Sequence, residues 1–169
     1  RKVMSGGRPK SKQQERVRPA HVNDAVEFDS GVKKLMREFD YPRSFLDFET
    51  INFAVPIWKG VRPYQQIAFQ WSLHVEGSRD RTQHYEFLDL SGKLPAEPLL
   101  RALLEALPGN GPIFAYGATF EKGCLGTLAD LVPSRKRAVE RVQARLVDLL
   151  ALTRNHYYHP RMKGSWSLK

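Results

Sequence analysis

Ser44-Phe45-Leu46-Asp47-Phe48-Glu49 is the stretch on which the fold turns. It reads as a buried strand whose apolar run is interrupted only by acids at 47 and 49. Side chains two apart on a strand share a face, so Asp47 and Glu49 project together. Two ionised carboxylates on a mostly buried strand repel each other. They are costly there unless a cation neutralises them or one keeps its proton. A hard divalent ion such as Mg²⁺ or Mn²⁺, which prefers carboxylate oxygen and keeps several waters, is the natural compensation. The simpler reading is a strand end emerging into solvent, and an isolated Asp-x-Glu is short and common enough to be that. The pair therefore needs company elsewhere in the chain.

Downstream, residues 50–64 hold Pro56, Trp58, Gly60 and Pro63 and read as a long loop. From Gln65 the alternation is clean, with Ile67, Phe69, Trp71, Leu73 and Val75 on one face. That period predicts an amphipathic strand. Turn residues at 76–80 let Thr82 to Leu88 return as a third strand. Leu99, Leu100, Leu103, Leu104 and Leu107 predict a helix closed by Pro108-Gly109-Asn110-Gly111-Pro112, and Ile113 to Tyr116 a short strand. A second helix is expected near Thr119, read as its N-cap. A third, capped by Ser134, is expected to carry Val139, Val142, Leu146, Leu149 and Leu150. Upstream, Val32, Leu35, Met36 and Phe39 recur at helical spacing until Pro42. The resulting class is α/β: a mixed sheet, its first three strands antiparallel and the next parallel, flanked by helices.

The formal charge of +9 is unevenly spread. Residues 1–20 carry seven basic residues against Glu15, a net of +6, while 21–133 carry eleven against fifteen acids, a net of −4. Residues 134–169 carry nine against Glu140 and Asp148, a net of +7. An acidic centre between basic ends suits a polyanion gripped around a carboxylate site; a solvated helix face plus a basic arm gives the same counts. Residues 1–20, Lys/Arg/Gln-rich and without apolar period, read as a linker or arm, and 21–169 as one domain. No apolar run is long enough for a secretory core or a membrane span. With Cys124 the only cysteine, neither a disulfide nor a thiolate zinc cluster can form within the chain. A cytoplasmic protein without membrane contact is expected.

Glu121 supplies the company. In a helix from Thr119 it falls in the angular sector of Leu125, Leu128 and Val132, and an acid on an apolar stripe wants a reason. A place in the first turn beside the helix dipole is one reason, and a wet stripe edge another. Taken with the strand pair, Glu121 is a third oxygen ligand from a separate element, as a two-metal phosphodiesterase site uses. Cys124, on the same stripe, reads as a small core residue. From Arg154 to Lys169, basic residues alternate with Tyr157, Tyr158 and Trp166. That arrangement suits stacking on single-stranded nucleic acid, or else aromatics buried in a core. His156 and His159 lack the partners of a zinc site.

Phe45-Leu46-Asp47-Phe48-Glu49-Thr50 resembles the first motif of the ribonuclease H-like four-carboxylate (DnaQ-like) exonucleases. Ala115-Tyr116-Gly117-Ala118-Thr119-Phe120-Glu121 resembles their second motif, with Gly117 where Asn is usual and Glu121 where Asp is usual. Arg62 to Ile67, Phe69 to His74, Tyr157 to Pro160 and Gly164 to Ser167 are similar to the bacterial domain-of-unknown-function family 2779, over roughly residues 41–169. The resemblance implies a ribonuclease H-like fold and a metal-dependent 3′–5′ exonuclease acting on DNA or RNA, with single strands the expected substrate. Asp47, Glu49 and Glu121 are then catalytic and hold Mg²⁺ or Mn²⁺, and Thr50, Tyr116 and Phe120 contact substrate. Asp148 is the tempting fourth ligand, but it resembles a non-ligand acid that follows the second motif, which points instead to a place on a helix face or behind the ligands. The fourth carboxylate is then expected beyond Lys169, in a longer parent chain with further domains, and the 21–169 domain, incomplete at its C-terminus, is expected to be inactive by itself. The competing expectation is a non-catalytic nucleic-acid-binding or scaffold domain. A glycosidase using two of these acids ranks behind both.

Overall fold

The computed structural model describes residues 11–79 and 81–168. Along the chain run helix α1 (Lys12–Asn23), strand β1 (Glu27–Phe28), helix α2 (Gly31–Arg37), and strands β2 (Arg43–Ile51), β3 (Ile67–Ser78) and β4 (Arg81–Leu88). Helix α3 (Ala96–Ala106), strand β5 (Ile113–Ala115), helix α4 (Thr119–Leu131) and helix α5 (Lys136–Gln143) follow. Strand β6 (Leu146–Asp148), helix α6 (Leu149–His156) and strand β7 (Tyr157–Tyr158) complete the order. The elements fall into two compact units. One is Phe39–Leu149; the other joins the described residues up to Glu38 with those from Leu150 on.

The Phe39–Leu149 unit is a mixed α/β structure on a five-stranded sheet of order β4-β3-β2-β5-β6. β3 pairs antiparallel with β2 and β4, whereas β5 pairs parallel with β2 and β6. Period-two alternation sorts β2 as its sequence demands: Ser44, Leu46 and Phe48 are buried while Asp47 and Glu49 are exposed. The buried face joins a core with Leu99, Leu100 and Leu103 of α3, Leu125 and Leu128 of α4, and Val139 and Val142 of α5. Each fully buried Leu or Val contributes about 1.5–3 kcal/mol. Trp71 satisfies its indole N–H inside this core by donating to the Leu99 carbonyl at 3.2 Å.

Strict alternation fails near the start of β3, and the register toward β4 shifts again between Glu76 and Ser78. The β2–β3 register steps from Glu49↔Gln70 to Thr50↔Ala68, so Phe69 has no partner across on β2, and Ile67 and Ala68 are both buried. Such a bulge bends the strand and re-aims neighbouring side chains, and here it lies beside Glu49.

The structure corrects the third predicted helix. The single helix expected from Val139 through Leu150 is broken in two: α5 ends at Gln143, Leu146–Asp148 is a strand added parallel to β5, and Leu149 and Leu150 open the separate helix α6. Arg145 stops the helix. Its guanidinium donates to the carbonyls of Pro108 (2.8 Å), Gly111 (2.7 Å) and Asn110, tying residue 145 to the loop before β5. Sheet pairing with a distant strand then outweighs local period. Neither predicted cap forms: Ser134 lies in a 3₁₀ turn (Pro133–Arg135), and Thr119 is the first residue of α4 after Ala118.

In the other unit, residues 12–20 of the expected arm form the first part of α1, while residues 1–10 lie outside the described residues. What orders this polar helix is distant in sequence. Ala20 is fully buried in a cluster with Tyr158 and Trp166. The Tyr158 hydroxyl lies 2.8 Å from His21 Nε2 and accepts the Gly164 N–H at 2.7 Å, and Trp166 donates to the Tyr157 carbonyl at 3.2 Å. Of the two uses open to these aromatics, Tyr158 and Trp166 therefore take the core one. His156 pairs with Asp29 at 3.3 Å, and His159 accepts the Arg161 N–H at 3.1 Å.

Candidate functional site

The site grows from the junction between β5 and α4. β5 ends at Ala115, and Gly117 then takes φ +91°, a region closed to most side chains but open to glycine. The turn lets α4 start at Thr119 and sets Glu121 in its first turn. Glu121 is 3% exposed, and its Oε2 has no hydrogen-bond partner. Leaving one buried polar atom unpaired costs about 1–3 kcal/mol, more when it is charged. Burial is the main cause that pushes the Glu121 carboxyl up to about 6. The negative charges of Asp47 and Asp148 add to it, against the lowering pull of the residue's own backbone N–H.

Asp47 and Asp148 reach this point from different strands. Asp47 stands on β2, opposite Ser72 of β3, and Glu49 shares its face two residues on, opposite Gln70. Asp148 closes β6 in register with Ala115, and its Oδ1 accepts the Gly117 N–H at 3.1 Å. Glu121 thus stands within electrostatic reach of acids from β2 and β6, the two strands that flank β5. Glu49 shares the exposed face of β2 with Asp47 and is not among the acids that raise the Glu121 carboxyl. As the side chains stand, no three His, Cys, Asp or Glu residues among the described residues are gathered closely enough to hold a metal ion.

Thr50 is half-buried just past the register shift, Tyr116 is half-buried at the end of β5, and Phe120 is 37% exposed beside Glu121. Cys124, one turn along α4, is buried. Burial first, then the charges of Glu121 and Asp47, push its thiol up to about 12, so it stays a thiol and a core residue. Sequence reasoning weighed Asp148 as a ligand or as a residue behind the ligands but placed it on a helix, not on the strand that sets it beside the Gly117 turn. The short apolar pair Leu146-Val147 ahead of it is the only local trace of the strand that carries it there.

These features define an α/β domain with an acidic site near the C-terminal ends of parallel strands, built around a buried helix-start carboxylate. The profile of the family described as Domain of unknown function (DUF2779) matches residues 44–167, and the chain belongs to that family. Neither a curated protein nor a solved structure matches it. Among the described residues, no helix is long and apolar enough to cross a membrane.

Proposed function

We propose that the Phe39–Leu149 unit is the core of a ribonuclease H-like, metal-dependent phosphodiesterase, a 3′–5′ exonuclease acting on single-stranded DNA or RNA. The observation that carries this reading is the buried, unpaired Glu121 Oε2 in a field of two further acids. A carboxylate so placed is unfavourable by itself and favourable beside a cation. The sheet supports the same reading, with three antiparallel strands followed by parallel ones.

The donor set is all oxygen, which fits Mg²⁺ or Mn²⁺. Asp47, Glu49 and Glu121 would hold the ions. A bound divalent ion supplies charge neutralisation at the phosphodiester and activation of the attacking water. Within the chain, α4 aims Glu121, and β2 presents Asp47 and Glu49 from one face. Phe120, exposed beside Glu121, offers a ring on which a terminal base can stack, with Tyr116 and Thr50 at the ends of β5 and β2 to position the substrate.

The test measures Mn²⁺ binding by electron paramagnetic resonance and, in the longer parent chain, stepwise shortening of 5′-labelled single-stranded DNA and RNA with and without Mn²⁺. Binding weakened by more than about tenfold in Asp47→Ala, and metal-dependent cleavage abolished by it, are expected. Cleavage that survives Asp47→Ala, or that ignores the metal, sinks the proposal. One observation favours a second reading, a non-catalytic nucleic-acid-binding domain of the same fold: the acids are not gathered into a ready ligand set. That reading predicts nucleic-acid binding without Mn²⁺ uptake.

A further inference from the structure

Asp148 is unused in the mechanism above, yet it touches the one backbone turn on which the site depends. It ends β6, sits in register with Ala115, and holds the Gly117 N–H at 3.1 Å. Gly117 occupies the left-handed region at φ +91°, where the chain breaks from strand to helix two residues before Thr119. An amide N–H in such a turn belongs to no sheet ladder and lies short of the helix, so a side-chain acceptor is what fixes it. Four residues further on, Glu121 is 3% exposed with an unpaired Oε2, within electrostatic reach of Asp47, so its placement depends on how this turn starts α4.

We infer that Asp148 is the positioning residue of this site: by gripping the Gly117 N–H it locks the β5–α4 turn and thereby aims Glu121 at the face presented by Asp47. The acid that resembles a non-ligand residue after the second motif is the strut that aligns the buried ligand. The inference rests on the metal-site reading for its consequence and on backbone geometry for its cause, so the two parts can be measured separately. Asp148 also adds negative charge near Glu121, and the experiment must separate that contribution from the grip.

Asp148→Asn and Asp148→Ala remove the same charge, but only Ala removes the acceptor oxygen. Two readouts are compared between them: Mn²⁺ affinity by electron paramagnetic resonance, and amide hydrogen exchange of Gly117 and the first turn of α4 in metal-free protein. Asp148→Asn is expected to keep Gly117 protected and to bind Mn²⁺ about tenfold more tightly than Asp148→Ala, whose Gly117 amide exchanges about tenfold faster. The difference between wild type and Asp148→Asn reads the charge. Equal Gly117 exchange and equal Mn²⁺ affinity in the two variants would overturn the positioning role. If the wild-type chain takes up no Mn²⁺, the metal reading fails, and the Gly117 exchange comparison alone then supports or refutes the grip. A Gly117 amide unchanged in Asp148→Ala refutes it in either case.

Discussion

Replacing Glu121 by Gln removes a charge while keeping shape, and the structure fixes how the consequence must vary with pH. Burial and the neighbouring acids raise the carboxyl from an ordinary 4.5 to about 6. Below pH 4.5 the group is protonated in both folded and unfolded chains, so wild type and Glu121→Gln then differ only by two neutral side chains of one size. Between 4.5 and 6 the folded state holds the proton that the unfolded state has released, and stability falls as pH rises. Above about 6 the whole penalty is present. The gap between 4.5 and about 6, at 1.36 kcal/mol per pH unit, comes to about 2 kcal/mol. Urea unfolding in EDTA should therefore find Glu121→Gln more stable than wild type by about 2 kcal/mol at pH 7.5, and equal to it near pH 4. With Mn²⁺ at about a hundred times its dissociation constant, wild type should gain about 2.7 kcal/mol and Glu121→Gln much less. A difference that stays constant from pH 4 to 7.5, or a variant less stable than wild type at pH 7.5, would refute the electrostatic account of this residue.

Cys124 gives a second check on the same helix. With its thiol pushed up to about 12, the folded protein at pH 8 should resist iodoacetamide and label only in urea; rapid labelling of the native state would show that the core around α4 is open. Gly111→Ala tests the loop that Arg145 ties down. Gly111 has φ +82°, and an added Cβ would collide with the Pro42 carbonyl oxygen. The substitution should destabilise the unit by about 1–3 kcal/mol in the same urea assay, and a change below about 0.5 kcal/mol would mean the turn relaxes freely.

Much of the sheet was legible because its signals are local. Ile67 through Val75 alternate, and the leucines of α3 recur at helical spacing, so period alone separates strand from helix. The paired faces of β2 follow from the same rule, which is why Asp47 and Glu49 could be placed together. Residues 146–148 were not legible. Their spacing continues that of Val139 and Val142, and only Arg145, bonded to carbonyls 34 and 37 residues earlier in the chain, ends the helix and frees them to pair with β5. Residues 12–20 were missed for a related reason, since the contacts that order α1 come from Tyr158 and Trp166.

The acids themselves can be read from the chain without coordinates: two on one strand face and one on the apolar side of a helix, patterns set by the repeats of strand and helix. Which acids face one another is a matter of packing. Asp148 joins Glu121 because a parallel strand addition brings its carboxylate to the Gly117 turn, and Glu121 is buried because α4 closes over the sheet there. Periodicity reports which way a side chain points from its own backbone. What it meets depends on contacts between distant segments, whose free energy no local pattern records.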